Sequence, residues 1–290
     1  MSGASKFAFG GGNKTPENVP PEAMTETLVQ YILKNDVAKI QTMIAQGADV
    51  NASDSKGNSM AVIAATDPRE HKALEALLLA KPDLNKPGRN GKLPLHAVLR
   101  MKDDKIMPET VDMLLQAGAD PNKIETREGH PPSTAFLNAL ENNRSDAVLQ
   151  SLLKAGADPS LGEDKETSTL APLHVLARLG RYGILQSAHA AGTDIDKPDY
   201  NGITPLMWAA REGSVKTVEL LLQLGADPSR KDKAGQDAPA HASHAPPDVD
   251  MRPLIQQMAR AAQDHAIRKE ISDLREEVDE LKRIVKSKGT

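Results

Sequence analysis

LLQLGADPS runs from Leu221 to Ser229, and by then the chain has used nearly the same phrase twice: LLQAGADPN from Leu114 to Asn122 and LLKAGADPS from Leu152 to Ser160. MIAQGADVN (Met43 to Asn51) and HAAGTDID (His189 to Asp196) are looser copies. The glycines of the phrase serve as rulers. Gly47 and Gly118 are 71 residues apart, room for two units if Lys81 in LLLAKPDLN stands where a glycine would be; the next gaps are 38, 36 and 33. A period near that length marks an architecture of stacked repeats. A single unit of this size cannot bury its own apolar face, so neighbours must bury one another.

The clearest unit is DYNGITPLMWAAREGSVKTVELLLQLGADPSRKD, Asp199 to Asp232. Thr204 is a hydroxyl cap, and Pro205 follows at the first helical position, where its missing N–H costs nothing. Leu206, Ala209 and Ala210 give a short helix one apolar side, and Gly213 ends it by taking a left-handed conformation. Val215, Val218, Leu221 and Leu222 recur at helical spacing and predict a second helix, stopped by Gly225. The Pro- and Gly-punctuated stretch ADPSRKDKAG then leads to the next unit.

These residues resemble the ankyrin repeat, a turn plus two antiparallel helices with TPLHxAA opening the first. The likeness covers roughly Glu22 to Ala242, and the sixth unit carries it most fully. The fifth opens APLHVLA from Ala171 and the third LPLHAVL from Leu93. The fourth, TAFLNAL from Thr134, and the second, SMAVIAA from Ser59, lack the proline, and the second reads as having a helix pair longer by about one residue. The first unit, Thr25 to Asn51, opens with a polar helix suited to an end cap, and GQDAPAHA from Gly235 is a degenerate seventh. The expected fold is an all-α ankyrin-repeat solenoid of about six to seven helix-turn-helix repeats, then a long C-terminal helix ending in a short coiled coil. The expected division is a disordered tail over 1–21, repeats over 22–245, a capping helix over 246–266, and a coiled-coil helix and tail over 267–290.

Composition narrows the function. Aromatics are 2% of 290 residues, with Trp208 the single tryptophan, so a core must be aliphatic and alanine-rich, which suits close-packed helices. A formal net charge of −4 gives no bias towards nucleic acid or anionic membrane. The absence of cysteine excludes disulfides, thiolate metal sites and a cysteine nucleophile, and fits a reducing compartment. Residues 1–24 hold no apolar core of signal-peptide length, and the longest apolar run, LLLA from Leu77, is far short of a membrane span. A soluble, cytoplasmic protein is expected.

Residues with chemical potential mostly have a structural explanation. The resemblance implies that His96 and His174, at the fourth place of TPLH, hydrogen-bond backbone between units. His241 and His244 have a metal-ligand spacing, but Pro239, Pro246 and Pro247 crowd them and no further ligands are evident. His130 falls in a loop able to touch a partner. Asp49, Asp120, Asp158 and Asp227 recur in the GAD phrase, where an aspartate is placed to accept loop N–H groups; a paired acid–base site would not repeat in every unit. No nucleotide-binding or nucleophile-elbow pattern occurs. Neither an enzyme, a cofactor nor a metal is expected.

A partner surface is expected instead. Seven residues beyond the helix openings come Arg100, Glu141, Arg178 and Arg211, a place that the resemblance puts on the concave side. Turn tips add Lys56, Arg89, Lys92, Tyr200 and Lys233, against Glu128 and Glu212. Such a row also occurs as a merely solvated face; the functional reading is a basic groove for an acidic protein surface, with Arg favoured for its bidentate fork. Trp208 occupies a framework place, so packing is expected of it.

After Pro253 prolines cease. Ile267, Ile271, Leu274, Val278, Leu281 and Val285 are spaced 4, 3, 4, 3 and 4, a heptad seam. With β-branched residues at position a, leucine at d, and Glu270 and Glu277 facing Arg275 and Lys282 between heptads, the seam favours a parallel homodimer. Ile284 departs from the charged flank and the seam is short, so the association is expected to be weak; a helix folded back on the repeats or left free is the alternative. The whole reads as a non-catalytic adaptor or scaffold that binds a partner protein and joins copies through its tail. A bacterial effector capturing a host protein in the same groove, and the regulatory subunit of an enzyme, are readings the sequence does not separate from it.

Overall fold

The computed structural model describes residues 20–67, 71–101, 108–126, 129–165 and 169–288, with only the course of the helix given for 285–288. The expected tail over 1–21 therefore lies almost wholly outside the described residues. The chain divides into two compact units, 1–94 and 95–290.

In the first unit α1 (Pro21–Leu33) pairs with α2 (Val37–Ala45), and α3 (Met60–Ala65) with α4 (Lys72–Leu78). α1 also packs on α3 and α2 on α4, which makes two layers. The second unit holds α5 (Pro94–Leu99), α6 (Pro108–Gln116), α7 (Ala135–Glu141), α8 (Asp146–Lys154), α9 (Pro172–Arg178), α10 (Tyr182–Ala190), α11 (Pro205–Arg211), α12 (Val215–Gln223), α13 (Ala238–Ala242) and α14 (Arg252–Lys288). First helices α7, α9, α11 and α13 stack in order, and second helices α6, α8, α10 and α12 form the other layer. The fold is an all-α ankyrin-repeat solenoid; among the described residues the β structure is confined to isolated bridges at the turns, such as Glu125 to Ser133.

Hydroxyl cap and proline substitute for one another at the helix starts. Thr204 has both: its Oγ1 accepts the Met207 N–H at 3.3 Å, and Pro205 follows. Thr134 and Ser59 lack the proline but keep the cap, accepting from the N–H of Leu137 at 3.2 Å and of Val62 at 3.3 Å. Ala171 cannot cap, and there Pro172 alone presets the first turn. The second repeat departs from expectation: α3 and α4 have 6 and 7 residues, shorter than the 7 and 9 of α11 and α12. From the start of the first helix to the end of the second, both pairs span 19 residues, so the second repeat's pair is not the longer one.

The phrase glycines have one backbone conformation, with φ of 90° at Gly47, 97° at Gly118, 88° at Gly156, 93° at Gly192 and 95° at Gly225. A Cβ at Gly225 would meet nothing within 4 Å, so the requirement there is purely conformational. Lys81 does occupy a positive-φ place, but at 52°, the left-handed well that a side chain tolerates. Gly225→Val should therefore cost ~1–3 kcal/mol through backbone strain alone. Urea unfolding followed by circular dichroism measures it; a cost near zero would show that the turn adjusts freely.

The interior is aliphatic, as the composition requires: among the described residues Phe136 is the one ring in the buried hydrophobic set. Buried Ala139, Ala177, Ala209 and Ala210 on the first helices let those helices approach closely. Adjacent repeats are also stitched by polar side chains. Asn122 Oδ1 accepts the Asp158 N–H at 2.7 Å while its Nδ2 donates to the Gly156 carbonyl at 2.8 Å, and Asn51 Oδ1 accepts the Asp83 N–H at 2.7 Å. At the opposite ends of the helices, buried Arg144 donates to the carbonyls of Leu99 and Met101, and Arg181 to the Arg144 carbonyl.

The seventh repeat has only the short α13 as its first helix. α14 packs on both α12 and α13, and thus takes the second helix's place. Met251, Leu254 and Met258 are buried in that contact, and Nε2 of His265 lies 3.5 Å from the Asp227 carboxylate. Beyond Ala266 every described side chain of the helix is exposed.

Candidate protein-binding face

The turn tips at 199–203 and 232–236 are each organised by one aspartate. Asp199 Oδ1 accepts the N–H groups of Asn201 at 2.8 Å and Ile203 at 2.9 Å, leaving Oδ2 to accept the Trp208 indole N–H at 3.0 Å. Asp232 repeats the scheme: Oδ1 takes the N–H groups of Ala234 and Gln236, and Oδ2 pairs with His241 Nε2 at 2.8 Å. Trp208 and His241 each stand nine positions after their aspartate, so these rings brace the turns. His244 Nδ1 lies 3.2 Å from the Ala240 carbonyl, and the two histidine rings are thus engaged separately. The GAD aspartates have the local role expected of them: Asp49, Asp120 and Asp158 accept the N–H two residues on at 2.8 Å, and Asp227 does so at 2.9 Å.

His96 and His174 are buried and join neighbouring repeats. His96 Nε2 lies 3.1 Å from the Ser133 carbonyl, and His174 Nε2 3.0 Å from that of Lys197. A carbonyl only accepts, so Nε2 carries the proton in both. Burial pushes His96 down to about 4, against a smaller upward pull from Glu125, and burial lowers His174 too. Both rings are neutral at pH 7, with Nδ1 unpartnered.

The sequence-predicted partner residues are of three kinds. Arg100 is committed inside the protein: its guanidinium donates to Asn138 Oδ1 at 3.1 Å and pairs with Glu125, whose side chain is 2% exposed. Arg89 donates to the Asp54 carbonyl at 2.6 Å, Lys92 Nζ to Asn58 Oδ1 at 3.4 Å, and Lys233 Nζ to the Tyr200 carbonyl at 2.6 Å; these brace turn tips, although Arg89 and Lys233 remain exposed. Tyr200 is half-buried. Lys56 is exposed at its turn. Arg178 and Arg211 end α9 and α11 at one register, exposed and without a hydrogen bond or ion pair to any described residue; the Arg211 guanidinium lies 5.7 Å from the Trp208 ring centre. Glu141 ends α7 at the same register, Glu212 is exposed after α11, and Glu128 lies outside the described residues.

Sequence reasoning missed Glu125, because its role depends on an arginine 25 positions earlier that no local pattern links to it. It also missed Arg144 and Arg181. Their signal was available: they are 37 residues apart, the same interval as the openings Thr134 and Ala171.

On α14 the described side chains of the seam are exposed. Ile267, Ile271, Leu274, Val278 and Leu281 are 51%, 45%, 53%, 47% and 61% exposed, and Ile284 is 40% exposed. The Val285 side chain lies outside what is described. No described helix is long and apolar enough to cross a membrane, and no group of three or more His, Cys, Asp or Glu among the described residues is placed to hold a metal ion.

The comparisons with known proteins agree with this architecture. A family model for ankyrin repeats (three copies) matches residues 131–232, and one for the single ankyrin repeat matches 90–125. The probable palmitoyltransferase AKR2 of Saccharomyces uvarum is 53% identical over 45 residues, 16% of this chain and 6% of that protein. The human DNA-binding protein RFXANK is 42% identical over 57 residues, 19% of this chain and 22% of that protein. The chain thus spans less than a quarter of the length of either curated relative. The human ASB11 ankyrin repeat domain aligns with a TM-score of 0.54 at 21% identity, over 80% of this chain and 96% of that domain, and shows the same fold. The repeated phrase, the helix pairs it terminates and these matches have one common explanation: the chain is an ankyrin-repeat protein, built from a module of protein–protein interaction.

Proposed function

We propose that this protein is a non-catalytic adaptor of the cytoplasm that binds an acidic segment of a partner protein along its first-helix face and pairs with a second copy through the end of α14. The observation that carries the binding role is the register shared by Arg178 and Arg211, two exposed guanidinium groups with no ion-pair partner among the described residues. Arg100, Arg144 and Arg181 are satisfied within the protein, whereas the cations that end the successive first helices α9 and α11 have no ion pair to a described residue and are available to a ligand carboxylate. The pairing role is supported by the exposed heptad seam and its complementary flanks, Glu270 with Arg275 and Glu277 with Lys282. The lack of cysteine and the slight negative charge favour the cytoplasm and a protein ligand over nucleic acid.

The test uses the full chain as bait in native lysate, with and without Arg178→Glu and Arg211→Glu together. Binding of the captured partner should weaken more than tenfold while the melting temperature stays unchanged, and the residual affinity should fall with added salt. Arg100 is left out, because reversing it would strand the buried Glu125. Undiminished capture by the double variant would leave these arginines as a solvated face.

A further inference from the structure

In the second unit a cavity of about 100 Å³ opens beside α7. One wall is the turn of the fourth repeat, where His130, Pro131 and Pro132 precede Ser133; the other is α7, with Leu137, Asn138 and Glu141. This turn is longer than its equivalent in the second repeat: seven residues separate the bridged Glu125 and Ser133, against five between Ser53 and Ser59. Two prolines stiffen the end of this turn, and the recess lies between them and α7. Its volume is below the ~300 Å³ of an ordinary small-molecule site and accommodates the end of one long side chain.

The charges in the recess are unequal. The Arg100 guanidinium is spent on Glu125 and Asn138. Glu141 contributes a second carboxylate, with no hydrogen bond or ion pair to any described residue. Glu141 is an exposed residue overall; burial of its carboxyl pushes it up, against a smaller downward pull from Arg100. A carboxylate at the edge of the recess that makes no hydrogen bond there is open to a cation that arrives.

We propose that the recess is a subsite for a basic side chain, lysine or arginine, of the bound partner segment. The aliphatic stem lies against Pro131, Pro132 and Leu137, and the charged end meets Glu141. Glu141, Arg178 and Arg211 end consecutive first helices at one register, so a ligand with a cation at one end and carboxylates beyond it binds in a single direction; the reverse direction sets like charges together. The inference rests on the first-helix face being the binding face.

The probe is N-acetyl-arginine methylamide, with the citrulline analogue, equal in shape and uncharged, as control. Amide chemical shifts of Asn138 and Glu141 in the full chain report binding. The arginine probe should move them in a saturable way, the citrulline probe should bind at least about tenfold more weakly, and E141Q should weaken the arginine probe by about tenfold, a loss of ~1.4 kcal/mol. R178E/R211E should leave this titration unchanged while weakening partner capture, so the two readings fail separately. Equal binding of both probes, unchanged affinity in E141Q, or no saturable shift would each overturn the subsite.

Discussion

If α14 pairs two copies as proposed, the full chain carrying both Leu274→Asp and Leu281→Asp is expected to sediment as a monomer at concentrations where the unaltered chain self-associates, its association weakened at least about 1,000-fold. Leu274 and Leu281 are 53% and 61% exposed on a single chain, so both have apolar surface left to bury against a second copy. Losing a buried leucine removes ~2 kcal/mol of transfer free energy. The double change does this four times per dimer and adds carboxylates that must be desolvated or repelled. A 1,000-fold change needs only ~4 kcal/mol. The seam from Ile267 to Val285 is about 27 Å long at 1.5 Å per residue. It continues without a break from the part of α14 docked on α12 and α13, so part of the ordering cost is met before two copies join. Lys282 pairs with Asp279 within one chain at 2.9 Å, but both are largely exposed, and so weak a pair yields readily to Glu277 of the second copy. Sedimentation across a concentration series decides the matter: an unaltered chain that stays monomeric at high micromolar concentration removes the dimer.

The second large effect is a loss of stability in mild acid. His96 titrates near 6.5 when unfolded and at about 4 in the folded protein. Between those values the unfolded chain binds a proton that the folded one refuses, so stability is full above pH 6.5, falls as pH drops towards 4 and levels off below. At ~1.4 kcal/mol per pH unit this amounts to ~3 kcal/mol for His96, and His174 acts in the same direction. Glu141, Glu163 and Asp196, whose carboxyl groups burial pushes up, act oppositely, from their unfolded values upward. Comparison with a His96 variant therefore isolates the histidine. Urea midpoints at pH 7.5 and 5.0 should differ strongly for the unaltered chain and less for His96→Gln, even though the variant starts less stable. Parallel pH profiles would show that the buried ring is protonated without penalty.

The sequence by itself determined whatever is set within one unit or by exact recurrence. Thr204 and Pro205 open a helix and Gly225 closes one because caps, fixed φ and positive φ act over a few residues, and the interval of the phrase then specifies stacking. The exposed seam of α14 was legible for the same reason, its spacing being a property of one helix. Tertiary structure alone decided which charges are available. Arg100, Arg178 and Arg211 share a register and look alike in sequence, yet Arg100 is neutralised by Glu125 from the following turn, while its two counterparts are left open. The physical reason is that a side chain's pairing depends on distances across repeats, which vary with turn length. At one register the tertiary structure thus holds a committed Arg100, a Glu141 at the edge of a recess, and two exposed arginines, Arg178 and Arg211.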